Sequence, residues 1–188
     1  MKKFFASMAV MAAVAAGAVV GQFSNAAEVE SGLAAGQRVP AFYVHDVTGP
    51  QKGEDLCYRC RFGSQPVISI FTKDMDDNVA KLTKAVDGVI AQNRDAKMAG
   101  FLVLTSDSPS SAEAKLAEVA TKHSIKQVPL TTFEGAAGPK SYKLNPAAEV
   151  TVMMWVEGKV KVNKGFAAKD LTDETIAAIT KDASKILE

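Results

Sequence analysis

The sequence is poor in the residues that usually announce chemistry. Among 188 residues there are two cysteines, two histidines and one tryptophan. Two cysteines exclude a multi-disulfide scaffold. Neither sign of charge is in excess: 22 basic residues face 21 acidic ones, a net of +1. The basic surplus that draws nucleic acid is missing, so no nucleic-acid partner is expected. Ser106, Ser110 and Ser111 lack a G-x-S-x-G setting, which leaves hydrolase chemistry unsupported. Asp74, Asp76 and Asp77 lack the glycine and the twelfth-position Glu of an EF-hand loop, and read instead as charges at a helix start. No cofactor is expected.

The N-terminus carries the first positive signal. Lys2 and Lys3 precede an uncharged run of small and apolar residues over 4–21, and Ser24, Asn25 and Ala26 supply small side chains where a signal peptidase reads. This is the plan of a secretory signal peptide over residues 1–26, cleaved between Ala26 and Ala27. A retained anchor is the alternative, since the run has about the length of a short spanning helix. Its Ala and Gly content is only weakly hydrophobic, and no stable membrane anchor is expected after cleavage. No cysteine stands at the cleavage region, which argues against a lipoprotein. Loss of Lys2 and Lys3 leaves 20 basic against 21 acidic residues. The expected location is secreted or periplasmic, an oxidising compartment in which a disulfide persists.

Residues 27–38 are small and polar and read as a flexible leader. Residues 41–47 form a strand candidate, broken by Thr48, Gly49 and Pro50. A loop to Gln65 carries both cysteines. Residues 66–71 are an apolar, β-branched run fit for a buried parallel strand. Met75, Val79, Leu82, Val86, Val89 and Ile90 recur at helical spacing, with Asp74 as the expected cap. Residues 101–104 predict another buried strand. Ser110 and Glu113 have the capping-box form and open a helix through Lys122, its inner face using Leu116, Val119 and Ala120. Residues 128–133 predict a strand, and 151–156 with 159–163 predict a hairpin turning at Glu157 and Gly158. Thr172 caps a last helix whose core positions are Ile176, Ile179, Ala183 and Ile186. Trp155, Met153 and Met154 read as core. Strands alternating with helices predict an α/β fold with a parallel centre and an antiparallel edge.

That order resembles the thioredoxin-like superfamily, in its peroxiredoxin and thiol-disulfide reductase branch, with an added N-terminal strand. The resemblance spans roughly residues 36–188 and rests on several short pieces. Gly36, Pro40 and Phe42 match an opening element, and Asp46 to Gly49 the turn after it. Val128, Pro129 and Leu130 match a later strand, Tyr142 and Leu144 a "Y-x-V" element, and residues 151–160 a hairpin. Beyond the signal peptide over 1–26 and the leader over 27–38, it implies one thioredoxin-like domain over 39–188, with a central mixed sheet flanked by helices. The family's reactive cysteine would stand just after the strand at 67–71. This chain has Thr72, Lys73, Asp74, Met75, Asp76, Asp77 and Asn78 there, so a peroxidase of the usual peroxiredoxin type is not expected. The family's cis-proline would precede Thr151, where Val150 stands; Pro129 falls to the preceding strand.

One chemical motif remains: Cys57, Tyr58, Arg59 and Cys60. Closure of so short a ring supplies only about 2 kcal/mol of chain entropy, a poor staple and a reasonable redox couple. Arg59 and Arg61 flank the second thiol, and cationic neighbours favour thiolate. On this reading Cys57 attacks, Cys60 resolves and the partner is another exported protein. Against it, the motif precedes the central strand, at the edge opposite the family's active end, and the helix start that would stabilise a thiolate comes only after Thr72. The alternative is a non-catalytic binding or structural module in which the pair is a fixed disulfide. A metal site would need further ligands, of which His45 is the nearest in sequence. Arg61 follows Cys60 where c-type haem attachment needs His.

Overall fold

The structure, a computed structural model, describes residues 29–187. The expected cleavage site therefore lies outside the described residues. Seven strands form one mixed sheet: β1 (Val44–Asp46), β2 (Asp55–Leu56), β3 (Val67–Thr72), β4 (Ala99–Ser106), β5 (Leu130–Glu134), β6 (Val150–Val156) and β7 (Lys159–Phe166). Their order across the sheet is β2-β1-β5-β4-β3-β6-β7. β3, β4 and β5 are parallel, while β6 and β7 close one side and β1 and β2 the other in antiparallel pairing. The helices are α1 (Tyr58–Phe62), α2 (Asp77–Gln92), α3 (Ser110–Lys122) and α4 (Asp173–Lys181).

The period of two along the strands divides the core into two faces. Ile68 and Ile70 of β3, Leu102 and Leu104 of β4, and Val152 and Met154 of β6 point to one face. There they meet Leu82, Val86 and Ile90 of α2, Leu116 of α3, and Ile176 and Ile179 of α4. Val67, Phe71, Phe101, Val103, Met153 and Trp155 point to the other face, where Leu33, Val39, Phe42, Tyr58 and Tyr142 cover them. The second layer is largely aromatic. Phe42 packs edge-on against Tyr142 at 4.7 Å between ring centres, and Tyr58 stacks on Phe101 at 5.4 Å.

Four local expectations need correction. Residues 29–38 are not a loose leader: Val29 bridges to Gly165, Arg38 bridges to Lys159, and Ser31 and Leu33 are buried. Composition hid this, because the strap is held by backbone pairing and one leucine rather than by an apolar run. Asp76, not Asp74, caps α2 by accepting from the Val79 amide at 2.8 Å. Asp74 instead accepts from the Met75 amide and pairs with Lys115 at 2.7 Å, which holds its carboxyl below the usual range. The capping box at Ser110 does not form: the residue before α3 is Pro109, and the Ser111 hydroxyl donates to Ser108 O. Two other local expectations hold. Glu157 and Gly158 turn the β6–β7 hairpin with positive φ of 55° and 70°, a pairing that suits the twist of the strands. Thr172 caps α4 through the Thr175 amide. The strand expected over 128–133 is shifted: β5 begins at Leu130, so Pro129 stands just before it rather than within it.

Candidate redox site at the Cys57–Cys60 disulfide

The two cysteines are joined in a disulfide, with their Cα atoms 5.2 Å apart. They lie not in a loop but at the start of α1. Cys57 is the N-cap residue, and its sulfur accepts from the Cys60 amide at 3.0 Å. The expectation of a helix start only after Thr72 is thus corrected. Five residues, YRCRF, are too few for the periodicity that betrays a helix, but Tyr58 and Phe62, four apart, share one face and stack at 5.3 Å.

Tyr58 fixes this helix to the sheet. It is 1% exposed, lies on Phe101 and donates its phenol proton to Asp46 Oδ2 at 2.9 Å. Asp46 is itself fully buried at the end of β1. It also accepts from the Gly49 amide at 2.7 Å and the Gln51 amide at 2.9 Å. A buried carboxylate is tolerable when its lone pairs are filled in this way. Burial first, and the bond to Asp46 second, push the Tyr58 phenol far above its usual range. The sequence marks Asp46 only as part of a turn and Tyr58 only as the aromatic between the two cysteines; no local pattern signals that they pair.

The exposure of the two cysteines is the reverse of what the order of attack assumed. Cys57 is 7% exposed, whereas Cys60 is exposed. The flanking cations also divide. Arg59 Nε donates to Val39 O at 3.0 Å and its Nη1 to Gly63 O at 3.3 Å, so this guanidinium ties α1 to the segment just after the strap. It is committed to main-chain oxygens and is a fastening rather than a partner for a thiolate. Arg61 is exposed and stands close enough to lower the Tyr58 phenol slightly against the other effects. His45 is not drawn to the cysteines: its Nδ1 lies 2.9 Å from Asp55 Oδ1.

At the C-terminal ends of β3 and β4, where the sequence resemblance would put a reactive cysteine, there is a cavity of about 300 Å³ lined by Phe71, Thr72, Thr105, Leu144, Pro146 and Glu149 among others. Its polar groups serve the fold. Thr72 Oγ1 donates to Asp74 O at 2.6 Å, Lys73 Nζ donates to Pro146 O, and Glu149 accepts from the Ala168 amide at 2.8 Å. No thiol faces it. The disulfide sits at the other edge. The Glu157 amide donates to Ser64 O just beyond α1, and Gly158 abuts Arg59, so α1 lies beside the β6–β7 turn and the start of β3.

A parallel β3-β4-β5 centre, an antiparallel β6–β7 hairpin, and helices after β3, β4 and β7 define an α/β protein of thioredoxin-like fold, with a strand pair added at the N-terminal side. Solved structures agree. The chain is similar to a protein from Bacteroides thetaiotaomicron assigned as a protein disulfide isomerase, with TM-score 0.64, 15% identity, and coverage of 85% of this chain and 94% of that one. It is similar to the thioredoxin domain of a thiol-disulfide oxidoreductase from Bacteroides vulgatus, with TM-score 0.55, 18% identity, and coverage of 79% and 99%. It is also similar to a peroxidoxin from Mycobacterium tuberculosis, with TM-score 0.55, 17% identity, and coverage of 78% and 96%. At such identities the likeness establishes the fold. No family model and no curated protein matches the sequence.

Proposed function

We propose that this chain is an exported thiol–disulfide redox protein that works through Cys57 and Cys60. The carrying observation is the asymmetry of the disulfide: Cys60 is exposed, while Cys57 is buried with a backbone amide directed at its sulfur. A thiolate from a partner dithiol reaches Cys60 Sγ. The new S–S bond forms there as the Cys57–Cys60 bond breaks, and its electron pair leaves on Cys57. The Cys60 amide stabilises that leaving thiolate, which is where a hydrogen bond speeds exchange. The partner's second thiolate then attacks the mixed disulfide and releases Cys60. The partner ends oxidised by two electrons, and this chain ends as a dithiol after taking up two protons. The order is the reverse of Cys57 attacking first.

Trapping tests this. In Cys57→Ser the remaining Cys60 should form a mixed disulfide with glutathione disulfide within minutes. In Cys60→Ser the buried Cys57 should react at least about tenfold more slowly. Equal rates would remove the basis of the proposed order. Export is part of the proposal, motivated by the Lys2–Ala26 pattern; intact mass from the native compartment should correspond to a chain starting at Ala27, and retention of Met1 would end it.

The second reading is a structural disulfide in a binding module. What favours it is the burial of Cys57 and the seating of α1 on Asp46 and Phe101, which the ring helps to fix. Under it, Cys57→Ser lowers thermal stability and leaves thiol exchange with partners absent in the parent protein as well.

A further inference from the structure

At the N-terminal edge of the parallel strands, beside α1, lies an open depression of about 690 Å³. That volume falls within the range of small-molecule sites. Arg61, Arg94, Lys97 and Lys126 all line it, and no carboxylate does. All four are exposed, and among the described residues none of them is in an ion pair. In a chain with nearly equal numbers of acids and bases, four unneutralised cations in one concavity are an arrangement rather than a by-product of composition.

The arrangement is also held in place. Asp87 of α2 is buried, and its Oδ1 accepts from the amides of Lys126, Gln127 and Val128. This fixes the loop that carries Lys126. Gln127 Oε1 from that loop then accepts from Arg94 Nη1 at 2.6 Å and steadies the guanidinium. Lys97 sits at φ 54° in a tight turn whose amide bonds back to Arg94 O. The acids nearby do not cancel the field. Asp46 stands behind Tyr58 with three donors, Asp87 is filled by amides and by Lys84 at 3.3 Å, and Asp95 does not line the depression.

We propose that this depression binds a small anion carrying two or more negative groups, its charges held by Arg61, Arg94, Lys97 and Lys126. Concave walls lined by one sign of charge concentrate counter-ions, and the planar guanidinium of Arg94 suits a carboxylate or a phosphate equally. Cys57 and Cys60 do not line the depression, so the inference is independent of the redox reading.

Calorimetry and amide-shift mapping on the disulfide-intact chain, with pyrophosphate and with citrate as probes, test it. Saturable binding is expected at low salt, weakening as salt is raised, with shifts centred on residues 94–98 and 125–128. Binding of pyrophosphate alone would assign phosphate as the recognised group, and of citrate alone carboxylate. Lys97→Glu and Lys126→Glu should each weaken binding about tenfold or more, with unchanged circular dichroism. No saturable binding of either probe, or binding undiminished in both variants, would overturn the proposal.

Discussion

Replacing Tyr58 by Phe isolates one bond at the centre of the site. The ring keeps its burial and its stacking on Phe101 and Phe62, while the donor to Asp46 Oδ2 is lost. A hydrogen bond to a charged acceptor contributes about 1.5–3 kcal/mol. Asp46 keeps the Gly49 and Gln51 amides, so the lower half of that range applies, about 2 kcal/mol. For a domain of this size that is a fall in Tm of roughly 4–8 °C. Urea denaturation should show the same loss with an unchanged m-value. An alkaline arm checks the cause. Folding raises the phenol pKa of Tyr58, and that of Tyr142, from an ordinary value of 10.0. The neutral form is thus favoured by the fold, so the contribution is complete below pH 10.0 and declines as pH rises above it. The decline has a limiting slope of about 1.4 kcal/mol per pH unit for each tyrosine. Tyr58→Phe should flatten the slope by one tyrosine's share. A loss below about 0.5 kcal/mol with no change of slope would show that the Tyr58–Asp46 bond does not hold α1.

The strap over residues 29–38 gives a second test: Leu33→Ala should cost about 2–5 kcal/mol in chemical denaturation, whereas a free leader would tolerate it without loss. Asp182 gives a third. Burial alone would raise its pKa, but ion pairs with Lys185 at 2.7 Å and Lys164 at 3.1 Å outweigh this and leave it below the ordinary 3.8. A lowered carboxylate pKa stabilises above the ordinary value and loses that contribution as pH falls through the folded one. Asp182→Asn should therefore be less stable than the parent at pH 7, and the two denaturation midpoints should converge as pH drops below 3.8; a gap independent of pH would point to packing instead.

Where periodicity is long, the sequence speaks clearly. The expected ends of α3 are the observed ones, Ser110 and Lys122, and the β6–β7 hairpin turns where the Glu157-Gly158 pair predicts. The buried runs of β3 and β4 are likewise plain, because a parallel strand covered on both faces reads as continuous apolar residues. Short elements are silent. α1 has five residues and β2 two, so no periodicity marks Cys57 as a helix cap, and the contact of Tyr58 with Asp46 that seats this helix is tertiary. The exposure of Cys60 over Cys57 follows from which side of α1 faces Phe101, a tertiary fact that no local pattern encodes. The cationic depression was illegible for a similar reason: its four cations come from three separate segments, two of them joined through Asp87 and Gln127.

The equilibrium potential of the Cys57–Cys60 couple tests the redox reading most directly. The disulfide-intact chain is titrated in glutathione or dithiothreitol buffers of set ratio, free thiols are alkylated, and the oxidised fraction is read by mass. An exposed Cys60 and a stabilised Cys57 leaving group predict a potential above about −300 mV, in the range of labile rather than structural disulfides. Under Cys57→Ser, exchange with a dithiol partner should vanish at little cost in stability. A potential well below −300 mV, with no oxidation of any partner dithiol and a clear loss of stability in Cys57→Ser, would contradict the redox reading and leave the disulfide as a fastening for α1.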